Sequence, residues 1–430
     1  MPPRGRHSFR GETMIDARST RRGLFLVFMI MFLDVIGIAI IMPVLPTYLR
    51  ELTGDDISQA AIDGGWLLLV YAGMQFLFAP FVGNLSDRFG RRPVLLACIL
   101  TFAIDNLICA LATSYWMLFV GRVLAGISGA SFGTAAAYIA DVSTDETRAK
   151  NFGLMGIAFG TGFALGPVIG GVLGEFGPRI PFYGAAVLAF LNFVAAWFLL
   201  PESLAPANRR RFDLSRANPL GALLQMRNYP GVLWVGLVFF CYWLAHAVYP
   251  VVWSFVSAFR YGWSEGQIGL SLGIFGVGGA IVMAFVLPRV VPRLGEYRTA
   301  VVGLSFAVLG LAGYAASWQG WMIYAVIVLT ALESLADPPL RSIASARVPP
   351  SAQGELQGAL TSVSSITTII GPLIFTQVFS RFTGPSAPVV FAGAPFALAG
   401  LILFAGLLIF VVKLRGAGAG PTGTLAAKSA

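Results

Sequence analysis

Twelve long runs of apolar residues, separated by short polar stretches, make up most of the chain. A helix needs about 20 consecutive apolar residues to cross the ~30 Å hydrocarbon core of a bilayer, and each run approaches that length. The pattern predicts an all-α polytopic membrane protein with twelve transmembrane helices. The predicted spans are residues 23–46, 65–82, 94–112, 116–138, 151–173, 181–200, 231–252, 269–288, 299–317, 320–343, 356–379 and 388–412.

Composition excludes an ordinary soluble domain. Of the 430 residues, 57% are hydrophobic and 11% are charged, whereas soluble proteins carry roughly 25% charged residues. The net charge of +9 would indicate a nucleic-acid partner only if the basic residues gathered on a soluble face, and here they are distributed among the polar loops. We therefore expect a lipid bilayer around the chain and no nucleic acid.

The basic residues also predict the topology. They concentrate in alternate loops, as expected when those loops stay in the cytoplasm, and an even number of spans then places both termini there. The first apolar run is too long for a signal-peptide core and has no cleavage site, so it reads as an uncleaved helix, with Met1 or Met14 as the start. Of the 29 Lys and Arg residues, those outside the predicted cytoplasmic segments are Arg50, Arg122, Arg179, Arg260 and Arg381.

An internal repeat predicts two halves. Glycine positions of the first half return in the second at one constant offset. We divide the chain into a cytoplasmic tail (1–22), a six-helix half (23–200), a cytoplasmic central loop (201–230), a second six-helix half (231–413) and a disordered cytoplasmic tail (414–430). The repeated positions are Gly90 and Gly295, Gly153 and Gly358, and Gly166-Pro167 and Gly371-Pro372.

A short hydrophilic stretch, GNLSDRFGRRP at residues 83–93, joins the second and third spans. So tight a connection makes the two helices antiparallel neighbours, and its three arginines favour the cytoplasmic side. The stretch resembles the helix 2–3 signature of the major facilitator superfamily. That resemblance implies two pseudo-symmetric six-helix halves that rock around a central cavity, with this segment as a gate. The gating residues it implies are Gly83, Asp87, Arg88, Gly90, Arg91 and Arg92.

The fifth span carries a glycine-rich pattern, GFALGPVIGG at residues 162–171. Small residues four apart let membrane helices pack closely, so a purely structural packing helix is one interpretation. The complete pattern resembles the signature of drug–proton antiporters within the superfamily, which implies export rather than uptake. Its residues are Gly162, Gly166, Pro167, Gly170 and Gly171.

Three charged residues of the first half lie within predicted spans, namely Asp34, Asp105 and Arg122. Each charge costs at least ~2.5–3.5 kcal/mol to insert, so each needs a structural or functional reason. The structural alternatives are an arginine that anchors backbone carbonyls and aspartates that form helix–helix hydrogen bonds. The functional hypothesis is proton coupling, in which a proton competes with Arg122 or with a cationic substrate for the carboxylates.

Most of the chain resembles the tetracycline–proton antiporters, through residues 33–38, 41–46, 86–93, 138–141 and 201–203. By this resemblance Asp34 and Asp105 match essential carboxylates and Arg122 matches an essential arginine; the family also implies a monomer. The chain departs from the pattern in its second half. Where these exporters carry a histidine in helix 8 and an aspartate in helix 9, it has Gly279 and Ala307.

The second half offers other polar groups, namely His246, Glu333 and Asp337. Asp337 and Arg341 are one helical turn apart, which predicts a local ion pair. Glu333 has no such partner nearby, and we consider it a substrate or proton carboxylate. Pro338-Pro339 must interrupt regular hydrogen bonding and predicts a hinge or a broken helix there.

The sequence therefore predicts a proton-coupled antiporter of the bacterial inner membrane that exports tetracycline-like or other amphiphilic small molecules. Proton-coupled uptake of a small metabolite by symport is the alternative. A membrane enzyme or receptor is a third class, but the sequence offers no nucleophile–base constellation, no ligand cluster and no soluble domain large enough for one. The chain lacks the GxxxxGK[ST] phosphate loop of nucleotide-binding proteins, so we expect no cofactor. The three cysteines, Cys98, Cys109 and Cys241, lack the spacing of metal ligands, so we expect buried free thiols and no metal.

Overall fold

The computed structural model describes residues 17–144, 146–212, 230–349 and 352–414. Within these ranges the chain forms sixteen α-helices, joined by turns and by short 3₁₀ and π segments. They are α1 (Ala17–Ala39), α2 (Leu45–Thr53), α3 (Ile57–Phe89), α4 (Arg91–Leu111), α5 (Tyr115–Gly129), α6 (Ser131–Asp141), α7 (Arg148–Gly174), α8 (Ile180–Leu199), α9 (Pro230–His246), α10 (Val248–Tyr261), α11 (Glu265–Ile281), α12 (Leu287–Ala316), α13 (Gly320–Thr330), α14 (Asp337–Ser345), α15 (Gln353–Thr383) and α16 (Ala394–Lys413).

The polytopic all-α prediction is confirmed. Among the described residues, eleven helical segments are long and apolar enough to cross a membrane. One of them, Glu265–Ala316, contains 52 residues and includes both the eighth and the ninth predicted spans. Gly295 interrupts it with φ 75° and ψ 165°, so the twelve predicted spans are consistent with this count.

Several predicted boundaries were wrong because hydropathy does not register a break inside an apolar run. The first helix begins at Ala17 rather than residue 23 and ends at Ala39, and the rest of that span is a turn followed by α2. The segment 83–93 is largely helical, since α3 continues to Phe89. Gly90 alone separates α3 from α4 with φ 108°, a conformation that favours glycine.

The fourth, seventh and tenth predicted spans are also discontinuous. The fourth is divided between α5 and α6, and the seventh between α9 and α10. In the tenth, the 3₁₀ segment Ala331–Leu335 separates α13 from α14. The interruption predicted from Pro338-Pro339 is thus confirmed, although the break lies just before the two prolines, which occupy the first turn of α14.

Helix starts follow local capping chemistry. Asp56 and Ser114 accept hydrogen bonds from backbone N–H groups of α3 and α5. Ser264 and Gln267 form a reciprocal capping box at the start of α11. Such caps satisfy amides that have no partner within the helix.

The first half (α1–α8) meets the second (α9–α16) mainly through two helix pairs, α7 with α11 and α3 with α15. The predicted domain limits stay predictions. Of the central loop, residues 201–212 include a short 3₁₀ turn at Pro206–Asn208, while residues 213–229 lie outside the described residues, as do residues 1–16 and 415–430 of the predicted tails.

The two halves touch at one end of the bundle, here called the closed end. There Ser58 lies 2.9 Å from Thr383 between the hydroxyl oxygens, and the Gly266 amide donates to Glu175 at 2.9 Å. The opposite end, which carries the arginine-rich segment, is here called the open end, because glycines of the described helices there face unfilled space. A Cβ added at Gly153, Gly156 or Gly160 of α7, or at Gly354 of α15, would meet nothing within 4 Å.

Candidate functional site

The structure brings the three predicted charges of the first half together. Asp105 is fully buried on α4, and Arg122 of α5 lies beside it with Nη2 3.6 Å from Oδ1. Ser128 donates to the other carboxylate oxygen of Asp105 at 3.4 Å. Asp34 of α1 accepts a hydrogen bond from Ser131 at 2.9 Å. One carboxylate therefore has a cationic partner, and the other has a hydroxyl.

Tyr71 of α3 lines the same cavity as Arg122, and its hydroxyl accepts a hydrogen bond from the Gln75 amide at 3.5 Å. It was missed at the sequence level, since a tyrosine in an apolar span carries no distinguishing signal. Tyr71 and Arg122 line a cavity between the halves, whose far wall includes Pro250 and Ser254 of α10. Arg122 thus connects the charged cluster to the space in which the halves meet.

Arg122 is held by more than its aspartate. Nη2 also donates to the Cys109 sulfur at 3.3 Å, whereas Nε has no hydrogen-bond partner within the described residues. Among the described residues, no backbone carbonyl, the structural alternative, accepts a hydrogen bond from its guanidinium. The geometry therefore favours Arg122 as a cation that pairs with Asp105 and keeps its Nε–H group without a hydrogen-bond acceptor among the described residues.

At the open end, Arg91 is the centre of the predicted gate. Its guanidinium contacts Asp87, donates to Ser86 at 2.7 Å and lies 3.2 Å from Asp141. Glu202 accepts from the Arg91 amide at 2.9 Å, so it caps the start of α4. Sequence analysis assigned no role to Asp141 or Glu202.

These gate residues belong to the first half, except Glu202, which lies at the start of the central loop, and their described contacts do not join the halves. The remaining predicted members lie around this centre. Arg92 donates to the Trp197 carbonyl at 2.6 Å, Arg88 lies 5.0 Å above the Phe89 ring, and a Cβ at Gly83 would meet nothing within 4 Å.

The glycine pattern of α7 packs against two neighbours. A Cβ at Gly162, Gly166 or Gly170 would lie 2.7, 2.6 or 2.1 Å from atoms of α1 or the turn after it. On another face, a Cβ at Gly171 would lie 2.4 Å from the Glu265 carbonyl oxygen of the second half, and the Pro167 carbonyl approaches Gly269 of α11. The pattern therefore permits close contact both within the first half and across the interface.

The second-half candidates form another cluster. Glu333, 3% exposed, lies in the 3₁₀ break of the tenth span and accepts a hydrogen bond from Tyr249 at 3.1 Å. His246 places Nδ1 3.4 Å from the other carboxylate oxygen. Asp337 pairs with Arg341 at 2.8 Å, as predicted. The partners of Glu333 come from another span, which local spacing does not reveal.

The two departures from the exporter pattern lie close to this region. Ala307 is buried on α12, and a Cβ at Gly279 would lie 3.0 Å from the Ser334 hydroxyl. The segment that carries Glu333 thus packs directly on Gly279.

The cysteines Cys98, Cys109 and Cys241 are buried and free, as predicted. Among the described residues, no group of three His, Cys, Asp or Glu side chains is arranged to hold a metal ion.

Comparison with known proteins agrees with this architecture. The Major Facilitator Superfamily model matches residues 27–372 and 238–428. The chain is 41% identical to the class C tetracycline resistance protein of Escherichia coli, over 81% of this chain and 87% of that protein. It is 27% identical to multidrug resistance protein 2 of Bacillus subtilis, over 89% and 92% of the two chains.

Solved structures match the fold. A bacterial homologue of the human lysosomal transporter Spinster aligns with a TM-score of 0.74 and 16% identity, over 94% of this chain and 100% of that one. The human organic anion transporter MFSD10 aligns with a TM-score of 0.62 and 21% identity, over 91% and 99%. With two helical halves around a charged cavity and relatives of this kind, the chain belongs to the Major Facilitator Superfamily and, within it, to the family of the tetracycline resistance proteins.

Proposed function

We propose that the protein is a proton-coupled antiporter that exports tetracycline-like or other amphiphilic small molecules by alternating access. The observation that carries this proposal is the buried Asp105–Arg122 pair beside the cavity between the halves. Similarity to tetracycline and multidrug resistance proteins supports export over uptake. The proposal includes a monomer in the bacterial inner membrane that uses the proton gradient and no cofactor.

Asp105 and Arg122 provide a two-state element. With Asp105 ionised, its charge is balanced by Arg122 in an environment where an unpaired charge is costly. A proton on Asp105 removes that balance and leaves Arg122 as an uncompensated cation beside the cavity. Protonation therefore changes which substrate charge the cavity accepts, which is the coupling that antiport requires.

Asp34 extends the proton path. Among the described residues, its one hydrogen-bond partner is the Ser131 hydroxyl, and no cationic side chain pairs with it. A carboxylate without a cationic partner takes up a proton more readily than one paired with arginine. We assign Asp34 to proton uptake and Asp105 to the exchange between the proton and Arg122.

Alternating access follows from the two ends of the bundle. We place the open end and both termini in the cytoplasm, because the arginine-rich segment lies at that end. The described state then faces the cytoplasm, where a substrate for export enters. Outward release requires the closed end to separate, and the cluster around Arg91 then forms part of the cytoplasmic closure.

The proton gradient supplies enough free energy for such a pump. One proton moving down ~150 mV releases ~3.5 kcal/mol, and a pH difference of one unit adds ~1.4 kcal/mol. Together they support a substrate concentration ratio in the thousands if coupling is tight.

Drug accumulation in energised cells tests the role of the pair. We expect cells with the wild-type protein to accumulate less tetracycline than cells without it, and a protonophore to abolish the difference. Asp105→Asn removes the ionisable group and should abolish export, whereas Asp55→Asn makes the same change at an exposed loop position and should not. Export by Asp105→Asn at the wild-type level would refute the assignment, and higher accumulation than in control cells would support uptake.

A further inference from the structure

Two helices of the second half are interrupted close to each other in space. In the seventh span the α-helix is interrupted at Ala247, between α9 and α10, where the backbone angles stay right-handed helical, and in the tenth a 3₁₀ segment replaces the α-helix over Ala331–Leu335. His246 ends α9, Glu333 lies within the second break, and the two side chains are 3.4 Å apart. Interrupted helices that meet within a membrane protein are a recurrent way of building substrate and ion sites.

The polar groups at these breaks are incompletely paired. Glu333 Oε2 accepts from Tyr249, but within the described residues Oε1 has no hydrogen bond, and Asp337 Oδ1 has none either. Arg341 is engaged with Asp337, so it does not compensate Glu333. A buried carboxylate of this kind favours a ligand that brings positive charge and a hydrogen-bond donor.

Aromatic rings surround the same point. Measured from the His246 ring, the centroids of Tyr249, Trp243 and Tyr242 lie at 5.1, 5.6 and 5.8 Å, and that of Phe275 at 6.5 Å. The faces of aromatic rings attract cations, most strongly where water is excluded. Rings and carboxylate together match an organic cation with an apolar body.

His246 is the more accessible of the two groups. Its side chain is 31% exposed, whereas that of Glu333 is 4% exposed, and Nδ1 lies 3.4 Å from Oε1. The imidazole therefore lies next to the carboxylate oxygen that has no hydrogen bond among the described residues. The partly exposed Asp337–Arg341 pair borders the same break.

We propose that Glu333, His246 and Tyr249 form a binding site for the ammonium group of an amphiphilic organic cation, with the surrounding aromatic rings holding its apolar body. The inference rests on the proposed function only in taking this cation to be an exported substrate. It narrows the amphiphilic substrates of the proposed function to organic cations and gives the second half its own recognition site, close to Gly279 and Ala307.

A charge-matched pair of fluorescent probes tests the site. Dansylcadaverine carries a primary ammonium, and N-acetyl-dansylcadaverine has the same fluorophore and chain without the charge. Binding to the purified full-length protein in nanodiscs is measured by energy transfer from tryptophan. We expect the ammonium probe to bind at least about tenfold more tightly than the neutral one, the preference that a charge-assisted hydrogen bond provides.

Three variants separate recognition from folding. Glu333→Gln keeps the shape of the side chain and should remove most of the preference for the ammonium probe. Glu333→Asp keeps the charge and should retain part of the preference for the ammonium probe. Glu355→Gln is the matched control, a glutamate-to-glutamine substitution at an exposed position of α15, and should leave the preference intact.

Equal binding of both probes to the wild type, or an unchanged preference in Glu333→Gln, would overturn the proposal. Failure here is distinguishable from failure of the proposed function, because tetracycline-driven proton movement depends on Asp34 and Asp105 in the first half. If that movement persists while the ammonium preference is absent, only the cation site is wrong.

Discussion

Gly171 offers a sharp test of how the halves close. It lies in α7 of the first half, and a Cβ at this position would stand 2.4 Å from the carbonyl oxygen of Glu265 in the second. An ordinary contact between such atoms is about 3.4 Å, so Gly171→Ala forces the backbones apart by about 1 Å at the closed end. Because the obstacle is backbone, no side-chain rotation relieves it.

The free energy of this clash destabilises only the conformation in which the two halves touch at the closed end. Overpacking of this size costs about 1–3 kcal/mol, which corresponds to a shift of about 5- to 150-fold in the equilibrium between the two access states. The substitution should therefore increase the population in which the closed end is separated. It should leave the fold of each half intact, since the clash lies between them.

Spin labels at Asp55→Cys and Ser386→Cys report the separation. Both residues are exposed and border one outer groove, one from each half, and the native cysteines are buried. Double electron–electron resonance should show a new, longer distance population in Gly171→Ala. Gly160→Ala on the same helix is the control, because its Cβ would meet nothing within 4 Å, and it should leave the distances unchanged.

Gly170→Ala completes the comparison. Its Cβ would lie 2.1 Å from the carbonyl oxygen of Ile40 in the first half, so it should lower the melting temperature without shifting the equilibrium between states. An unaltered distance distribution in Gly171→Ala, with the protein folded, would refute the reasoning that the closed end is held by backbone contact across the interface.

Two further predictions concern charges. Arg122→Ala leaves Asp105 buried without a cation, and thermal melting should show a loss of stability of about 3–5 kcal/mol. The double variant Arg122→Ala with Asp105→Asn should recover much of this loss. If the double variant is no more stable than Arg122→Ala, the two residues do not form the pair described here. Hydrogen bonds from the Ser264 hydroxyl and the Gly266 amide lower the pKa of Glu175. Because the pKa is lowered, these hydrogen bonds stabilise the closed end fully when the pH is above the usual carboxylate pKa. This stabilisation is lost as the pH falls through the lowered pKa. The distance between the halves at the closed end should therefore lengthen in acid. Glu175→Gln should remove this pH dependence. A closed-end distance in the wild type that does not change in acid would contradict the prediction.

Much of the fold follows from the sequence because the bilayer imposes one strong rule. A span must be apolar and about 20 residues long, and the loops that stay inside must be basic. The rule located the membrane helices but missed their interruptions at Ala130, Ala247 and Ala331–Leu335. Apolar residues are equally acceptable on both sides of a break, so hydropathy does not change there.

The candidate sites were predictable to different degrees. Asp34, Asp105 and Arg122 were found because charge within a span is costly, and the structure places them in one cluster. Glu333 was found for the same reason. Its partner Tyr249 was not, because an aromatic residue in a membrane helix is usually packing or interfacial and only tertiary structure distinguishes the one that reaches a carboxylate.

The central claim is that substrate and protons exchange in opposite directions. Purified protein in liposomes loaded with a pH-sensitive dye measures this directly, with tetracyclines and amphiphilic drugs added to wild type and Asp34→Asn. The account predicts that drug addition drives proton movement opposite to the drug, and that Asp34→Asn abolishes it. Drug transport without proton movement, or proton movement in the same direction as the drug, would contradict it.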